Sequence, residues 1–244
     1  MRSALLIFIK NPTLGKVKTR LAKSIGDYNA LKIYQFLLSH TMEITFELDS
    51  YDKFLFYNEF VPTKDDWPVS KYQKELQKGD NLGDKMKNAF KMSFDEDYGK
   101  VVLIMPDCPR LTDTIVEKAF KALGSNDFIL GPTNDGGYYM IGMRGYYPSV
   151  FENKKYSTGS VLKEAIDEMT KLGKTHFILP ELVDVDLEDD LGKLRKMIQS
   201  ETVAEDLENV DPDAIAMPVK EDVEMPPAIE DSGEEVGAAD YKDE

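Results

Sequence analysis

Two aspartates stand where apolar segments of the chain end, and this placement is typical of sites that bind phosphates and metal ions. Asp107 follows the apolar run Val101–Ile104, and Asp135 lies in a turn between the runs Phe128–Leu130 and Tyr138–Met143. In α/β proteins the ends of buried strands face the ligand. Mg²⁺ prefers one or two carboxylates together with phosphate oxygens and water. The pattern therefore predicts an enzyme that handles a nucleotide-like substrate.

A basic loop follows the first apolar run of the chain. It extends from Lys10 to Arg20 and contains Gly15 and the further cations Lys16 and Lys18. Exposed backbone N–H groups and fixed cations together can bind a polyphosphate. On an extended chain Lys16, Lys18 and Arg20 point to the same side. The loop is not a P-loop, because the Gly-Lys-Ser/Thr pattern is missing, and the alternative interpretation is an ordinary solvated basic loop.

A second acidic segment begins at Asp184. Asp184 and Asp186 alternate on one face of a strand, with Val185 facing the core. Two carboxylates on one face repel each other unless a cation lies between them, so the pair favours a metal site. The alternative is a helix start, in which Asp186 is the N-cap and Asp189 lies in the first turn. For Asp107 the alternative is likewise a turn or a helix cap.

The segment around Asp135 combines two interpretations. Asp135-Gly136 is a strong hairpin signal, and Gly136 and Gly137 allow a positive φ or a close backbone approach. A hairpin tip at the mouth of an active site satisfies both. The single cysteine, Cys108, is more typical of a small buried residue than of a nucleophile.

The apolar patterns predict strands that alternate with helices of ten or more residues, which indicates βαβ units and an α/β fold with a mostly parallel sheet. The predicted strands are residues 4–9, 53–60, 72–77, 101–105, 128–130, 138–143 and 176–179. The predicted helices are residues 29–48, 84–95, 113–123, 159–172 and 187–198.

The charge is unevenly distributed. Residues 201–244 hold 16 of the 45 acidic residues but 2 of the 30 Lys and Arg, so the first 200 residues are nearly neutral. No basic footprint for nucleic acid is present, and no apolar run reaches the ~20 residues of a membrane span. One cysteine permits no intramolecular disulfide, which favours the cytoplasm. Residues 201–244 are typical of a disordered acidic tail, either a solubilising extension or an arm for a protein partner.

Five motifs in order resemble a known family. They are Phe8–Leu21, Gln77–Met86, Pro106–Leu111, Leu130–Gly142 and Asp184–Leu191. They resemble the GT-A-type glycosyltransferase family once filed as a domain of unknown function, some members of which are named arsenosugar-biosynthesis glycosyltransferases. The molybdenum-cofactor and 2-phospholactate guanylyltransferases are more distantly similar. The resemblance implies a single three-layer domain over residues 1–200 with a mixed, mostly parallel sheet and the nucleotide-diphospho-sugar transferase fold.

The resemblance also implies roles for individual residues. Asp107 is then the metal-binding carboxylate, and Asp184 and Asp186 help to hold Mg²⁺ or Mn²⁺. Asp135 becomes the candidate catalytic base. The implied residues of the acceptor or sugar side are Gly136, Gly137 and Tyr138. The implied nucleotide and phosphate ligands are Lys10, Gly15, Lys16, Lys18, Arg20, Asp80 and Gly83.

The function predicted from these residues is the metal-dependent transfer of a sugar from a nucleotide-sugar to a small acceptor. An alternative is a nucleotidyltransferase that uses an NTP and releases pyrophosphate, because one fold hosts both chemistries. A third hypothesis is a non-catalytic nucleotide-binding scaffold, which Met105 and Pro106 favour because the family usually has smaller residues at these positions.

Overall fold

The structure is a computed structural model that describes residues 2–156 and 158–192. The strands are β1 (Arg2–Ile9), β2 (Asp52–Tyr57), β3 (Tyr72–Leu76), β4 (Tyr98–Ile104), β5 (Phe128–Pro132), β6 (Tyr138–Met143) and β7 (His176–Ile178). The helices are α1 (Thr19–Ile25), α2 (Asp27–Phe46), α3 (Leu82–Asp95), α4 (Asp113–Ala122) and α5 (Val161–Lys171), with a 3₁₀ turn at Pro148–Phe151.

Within the described residues the strands form one mixed sheet in the order β3-β2-β1-β4-β6-β5-β7. The strand β6 is antiparallel to both of its neighbours, whereas the other pairs are parallel. The predicted α/β fold with a mostly parallel sheet is therefore confirmed. Because β1 lies between β2 and β4, the strand order reverses at β1, and ligands bind at such switch points.

The sheet is covered on both faces, which confirms the predicted three layers. In β1, Leu5 and Ile7 belong to a core that includes buried residues of α2 and α4. The alternate residues Leu6 and Phe8 belong to a second core with α3 and α5. The apolar run of β1 is thus continuous because its side chains alternate between the two faces of the sheet and both faces are buried.

The basic loop differs from the prediction. Residues 16–20 are not extended, because helix α1 begins at Thr19 and Lys18 before it has a left-handed backbone, with φ 46° and ψ 42°. Leu21 of this helix is buried in a small core with Leu37 and Val185. Short helices are stabilised by packing more than by propensity, and Leu21, the buried residue of α1, is not evident in this cation-rich sequence.

Among the boundaries that differ from the prediction are those of β2 and of the last helix. Strand β2 ends at Tyr57, because the backbone N–H groups of Glu59 and Phe60 donate to the Asn11 side chain rather than to a strand. The predicted last helix begins at residue 188, and its portion after residue 192 lies outside the described residues. The predicted tail, residues 201–244, also lies outside them. Among the helices described, none has both the length and the apolar content needed to cross a membrane.

Replacement of Gly131 tests how tightly the central sheet is packed. A Cβ at Gly131 of β5 would lie 2.7 Å from Cε2 of Tyr139, whose hydroxyl donates to Pro180 O at 3.0 Å. We expect Gly131→Ala to reduce the free energy of unfolding in urea by about 1–3 kcal/mol, the usual cost of overpacking. The control is Gly192→Ala, where a Cβ meets nothing within 4 Å. Equal stabilities of the two variants would contradict this packing.

Candidate active site

A cavity of about 530 Å³ lies at the carboxyl edge of the sheet, where the strand order reverses. It is lined by residues that directly follow β1, β4 and β5, together with the segment around Asp184. The predicted site residues that line it are Lys10, Lys18, Arg20, Asp107, Asp135, Gly137, Tyr138, Asp184 and Asp186. The topology thus brings together residues that are as far apart in sequence as Lys10 and Asp186.

Lys18 connects the acidic residues of the cavity. Its side chain is only 4% exposed, and its ammonium donates to Asp107 Oδ1 and, at 3.0 Å, to Asp186 Oδ1. Burial alone would lower the pKa of Lys18, but the two carboxylates outweigh it and raise the pKa above its ordinary value. Lys18 is therefore a fixed positive charge at the base of the cavity.

Arg20 adds a second cation on the same carboxylate. Its guanidinium donates to Asp186 Oδ2, and the arginine side chain remains half exposed. Burial would raise the pKa of Asp186, but Lys18 and Arg20 together hold it below its ordinary value. A ligand that replaced the Asp186 carboxylate would therefore contact both cations.

The Asp186 carboxylate does not cap the following helix, as the alternative interpretation proposed. The backbone N–H groups of Asp186 and Leu187 instead donate to Asp190 Oδ2, at 3.2 and 2.9 Å. Asp107 is not a helix cap either, because Thr112 accepts from Ile115 N at the start of α4. Asp107 and Asp186 are thus both directed into the cavity.

Asp184 is a buried acid of the site. It is 8% exposed, and within the described part of the chain its carboxylate forms no ion pair with Lys or Arg. Burial, followed by the nearby carboxylates of Asp135, Asp186 and Asp107, raises its pKa to about 6. The next residue, Val185, is buried as predicted and donates its N–H to Asp107 O at 3.0 Å, which places this segment beside the end of β4.

The predicted hairpin forms between β5 and β6, and its tip reaches the cavity. Asp135 Oδ1 accepts from Thr133 Oγ1 at 2.6 Å and from Gly137 N at 2.9 Å. Gly136 has φ +85°, and a Cβ there would lie 2.7 Å from the carbonyl carbon of Gly159. The turn therefore requires glycine and fixes one Asp135 oxygen, which leaves the other for a ligand.

Other predicted site residues do not line this cavity. Lys16 pairs instead with Glu59 at 3.2 Å, because the turn at Gly15 and the left-handed Lys18 direct it away from Lys18 and Arg20. The residues placed outside the lining are Gly15, Lys16, Asp80, Gly83 and Gly136. Gly83 has a packing role, since a Cβ there would lie 2.7 Å from Phe151 O.

The structure adds residues that the sequence reasoning missed. Gln77 Nε2 donates to Ile9 O at 2.9 Å and Phe56 O at 3.0 Å, so its amide oxygen is left for a ligand. Asn58 Oδ1 accepts from Asn11 N, which leaves its amide nitrogen as a donor. The sequence offered no signal for them, because Asn58 and Gln77 lie inside the predicted strands 53–60 and 72–77, whereas in the structure β2 and β3 end directly before them. The added lining residues with polar side chains are Thr19, Tyr34, Asn58, Gln77, Lys85, Thr133, Tyr139, Tyr156 and Thr158.

The predicted metal ligands do not form a ready metal site. Among the described residues, no group of three or more His, Cys, Asp or Glu side chains is arranged to hold a metal ion. The place between Asp107 and Asp186 is taken by the Lys18 ammonium. The predicted cation between carboxylates is thus a lysine in this structure, and Asp107, Asp184 and Asp186 do not fit a divalent ion while Lys18 stays in place.

The fold and this cavity define the class of the protein, which has the nucleotide-diphospho-sugar transferase fold. The chain belongs to the family described as "Uncharacterized protein conserved in bacteria (DUF2064)", whose sequence profile matches residues 41–158. A crystal structure of a candidate nucleotide-diphospho-sugar transferase from Desulfovibrio desulfuricans G20 is 30% identical, with a TM-score of 0.76 over 88% of this chain and 94% of that one. The predicted family resemblance is confirmed.

More distant structures share the fold alone. Rv0371c from Mycobacterium tuberculosis H37Rv is 11% identical, with a TM-score of 0.51 over 80% of this chain and 98% of that one. A 4-diphosphocytidyl-2C-methyl-D-erythritol synthase is 10% identical, with a TM-score of 0.52 over 80% of this chain and 97% of that one. No curated protein matches the chain in sequence.

The raised pKa of Asp184 predicts the pH dependence of stability. Between its ordinary value of 3.8 and about 6 the folded protein binds more protons than the unfolded one, so this group lowers stability as pH rises through that window. In metal-free buffer we expect Asp184→Asn to be more stable than the wild type by roughly 1–3 kcal/mol above pH 6 and about equal to it near pH 4.

Urea unfolding of both proteins from pH 4 to 7 measures this difference. The exposed Asp95→Asn variant is the control, and its stability should stay within about 0.5 kcal/mol of the wild type throughout. A difference between Asp184→Asn and the wild type that did not change with pH would contradict the assigned ionisation.

Proposed function

We propose that the protein transfers a sugar from a nucleotide-sugar to a small acceptor. The observation that carries this proposal is that one cavity is lined both by the cations Lys18 and Arg20 and by the Asp135 hairpin. The volume of about 530 Å³ lies in the range of small-ligand pockets. The comparisons support the transferase class, because the 30%-identical structure bears that name.

The cations carry out the electrostatic part of the reaction. When the bond between the sugar and the nucleoside diphosphate breaks, the leaving diphosphate gains negative charge. Lys18 and Arg20 are placed to donate to its oxygens once the diphosphate replaces Asp186 as their partner. Fixed donors in a site that excludes water often contribute the largest share of catalysis. Lys10 and Lys85, which also line the cavity, add further positive charge.

Asp135 is the proposed base for the acceptor hydroxyl. Its Oδ1 is held by Thr133 and Gly137, so the carboxylate is fixed in orientation while Oδ2 faces no described donor. An acceptor hydroxyl that donates to Oδ2 would lose its proton there as its oxygen bonds to the sugar carbon. Gly137 and Tyr138 complete this side of the cavity.

Several finer properties stay predictions. They include dependence on Mg²⁺ or Mn²⁺, a cytoplasmic location and a protein partner for residues 201–244. A nucleotidyltransferase is the second candidate, favoured by the shared fold of the diphosphocytidyl-methylerythritol synthase. It would use the same cations on a triphosphate and release pyrophosphate.

A ligand panel followed by product detection separates the candidates. Thermal unfolding is measured with nucleoside diphosphates, nucleotide-sugars and NTPs, because a ligand at 100 times its Kd stabilises by about 2.7 kcal/mol. ³¹P NMR then identifies the phosphorus product. Release of a nucleoside diphosphate from a nucleotide-sugar supports the proposal, whereas pyrophosphate from an NTP supports the second candidate. Binding without any turnover supports a scaffold.

Arg20 and Lys16 form a matched pair for mutation, since both are exposed cations four residues apart but only Arg20 lines the cavity. We expect Arg20→Met to lower kcat/KM by about 10²–10³, the usual loss for one donor to a developing anion. Lys16→Met should change it less than about twofold, since surface ion pairs contribute little. Steady-state kinetics with the donor found in the panel measures both. Equal losses in the two variants would contradict the assigned geometry.

A further inference from the structure

The acidic residues of the cavity are of the type that binds divalent cations, but their central position is filled by the protein itself. Lys18 Nζ contacts one oxygen of Asp107 and one of Asp186. Mg²⁺ and Mn²⁺ bind carboxylate oxygens at about 2.1 Å and need near-octahedral access. An ammonium that already contacts both carboxylates occupies the volume such an ion needs, and it repels the ion as well.

A third carboxylate of the cavity has no lysine or arginine partner. Asp184 is 8% exposed, it lines the same cavity, and it forms no ion pair within the described residues. The backbone bond from Val185 N to Asp107 O holds the segment that carries it against the end of β4. Without the lysine charge, the carboxylates of Asp107 and Asp186, which both contact Nζ, would face each other with no cation between them.

We propose that Lys18 is an internal cation that keeps divalent metal out of this site in the nucleotide-free protein, and that removal of its charge creates a metal site. The ammonium and the metal compete for the Asp107 and Asp186 carboxylates. This inference rests on the contacts of Lys18 and is independent of the sugar-transfer reaction.

The backbone explains why Lys18 can hold this position. Its left-handed conformation before α1 directs the side chain inward, whereas Lys16, two residues earlier, is exposed and bound to Glu59. Burial of Leu21 in the core with Leu37 and Val185 fixes α1 beside the acidic segment. The backbone at Lys18 and the packing of α1 therefore place the lysine side chain at these carboxylates.

Direct measurement of Mn²⁺ binding without nucleotide tests the proposal. Free Mn²⁺ is measured by electron paramagnetic resonance for the wild type, Lys18→Met and the control Lys16→Met. We expect Lys18→Met to bind Mn²⁺ about 10–100-fold more tightly than the other two, the size of change that groups next to metal ligands usually produce. Lys18→Arg keeps the charge and should bind as weakly as the wild type.

Two further variants make every outcome decisive. Asp107→Asn in the Lys18→Met background should abolish the gained affinity, which assigns the ion to this cavity. Lys18→Gln keeps hydrogen-bond donors without the charge and replaces Lys18→Met if that variant does not fold. Wild-type affinity equal to that of Lys18→Met would overturn the proposal, because the lysine would then exclude nothing. A folded charge-free variant that binds no Mn²⁺ would overturn it as well, because the carboxylates would not form a metal site.

Discussion

The structure depends on one buried ammonium. Lys18 joins three segments that are distant in sequence: the loop after β1, the end of β4 at Asp107 and the acidic segment at Asp186. A buried cation is costly unless it is paired, and loss of one partner of such a pair commonly costs 3–5 kcal/mol by rough estimate. The short helix α1 and the burial of Leu21 are the means by which the chain places this ammonium where the strand order reverses.

This arrangement divides the three aspartates near Lys18 into two kinds. Asp107 and Asp186 are neutralised by Lys18 and Arg20, whereas Asp184 lies among carboxylates and has a raised pKa. An anionic ligand that binds Lys18 or Arg20 therefore replaces a carboxylate as their partner. A divalent cation enters only where the lysine charge is absent or displaced. The same lysine thus controls which charges the cavity accepts.

Most of the fold could be predicted from the sequence, because buried strands such as β1 and β4 are continuous apolar runs and the Asp135 turn has a hairpin signature. The basic loop could not, since Lys16 and Lys18 are the same residue type two positions apart and only the backbone conformation at Lys18 separates an outer from an inner side chain. The role of Gln77 was hidden for a related reason. Its amide becomes a site group only through its bonds to the ends of β1 and β2, which are long-range contacts.

A crystal structure with a bound nucleoside diphosphate tests the central role of Lys18 and Arg20 most directly. We expect the diphosphate at the carboxyl edge of β1 and β4, with its oxygens about 3 Å from both cations, the distance of a charge-assisted hydrogen bond. We also expect the guanidinium of Arg20 to have left Asp186. A nucleotide bound elsewhere, such as in the cavity beside Trp67, with Lys18 and Arg20 still paired to their aspartates, would contradict this.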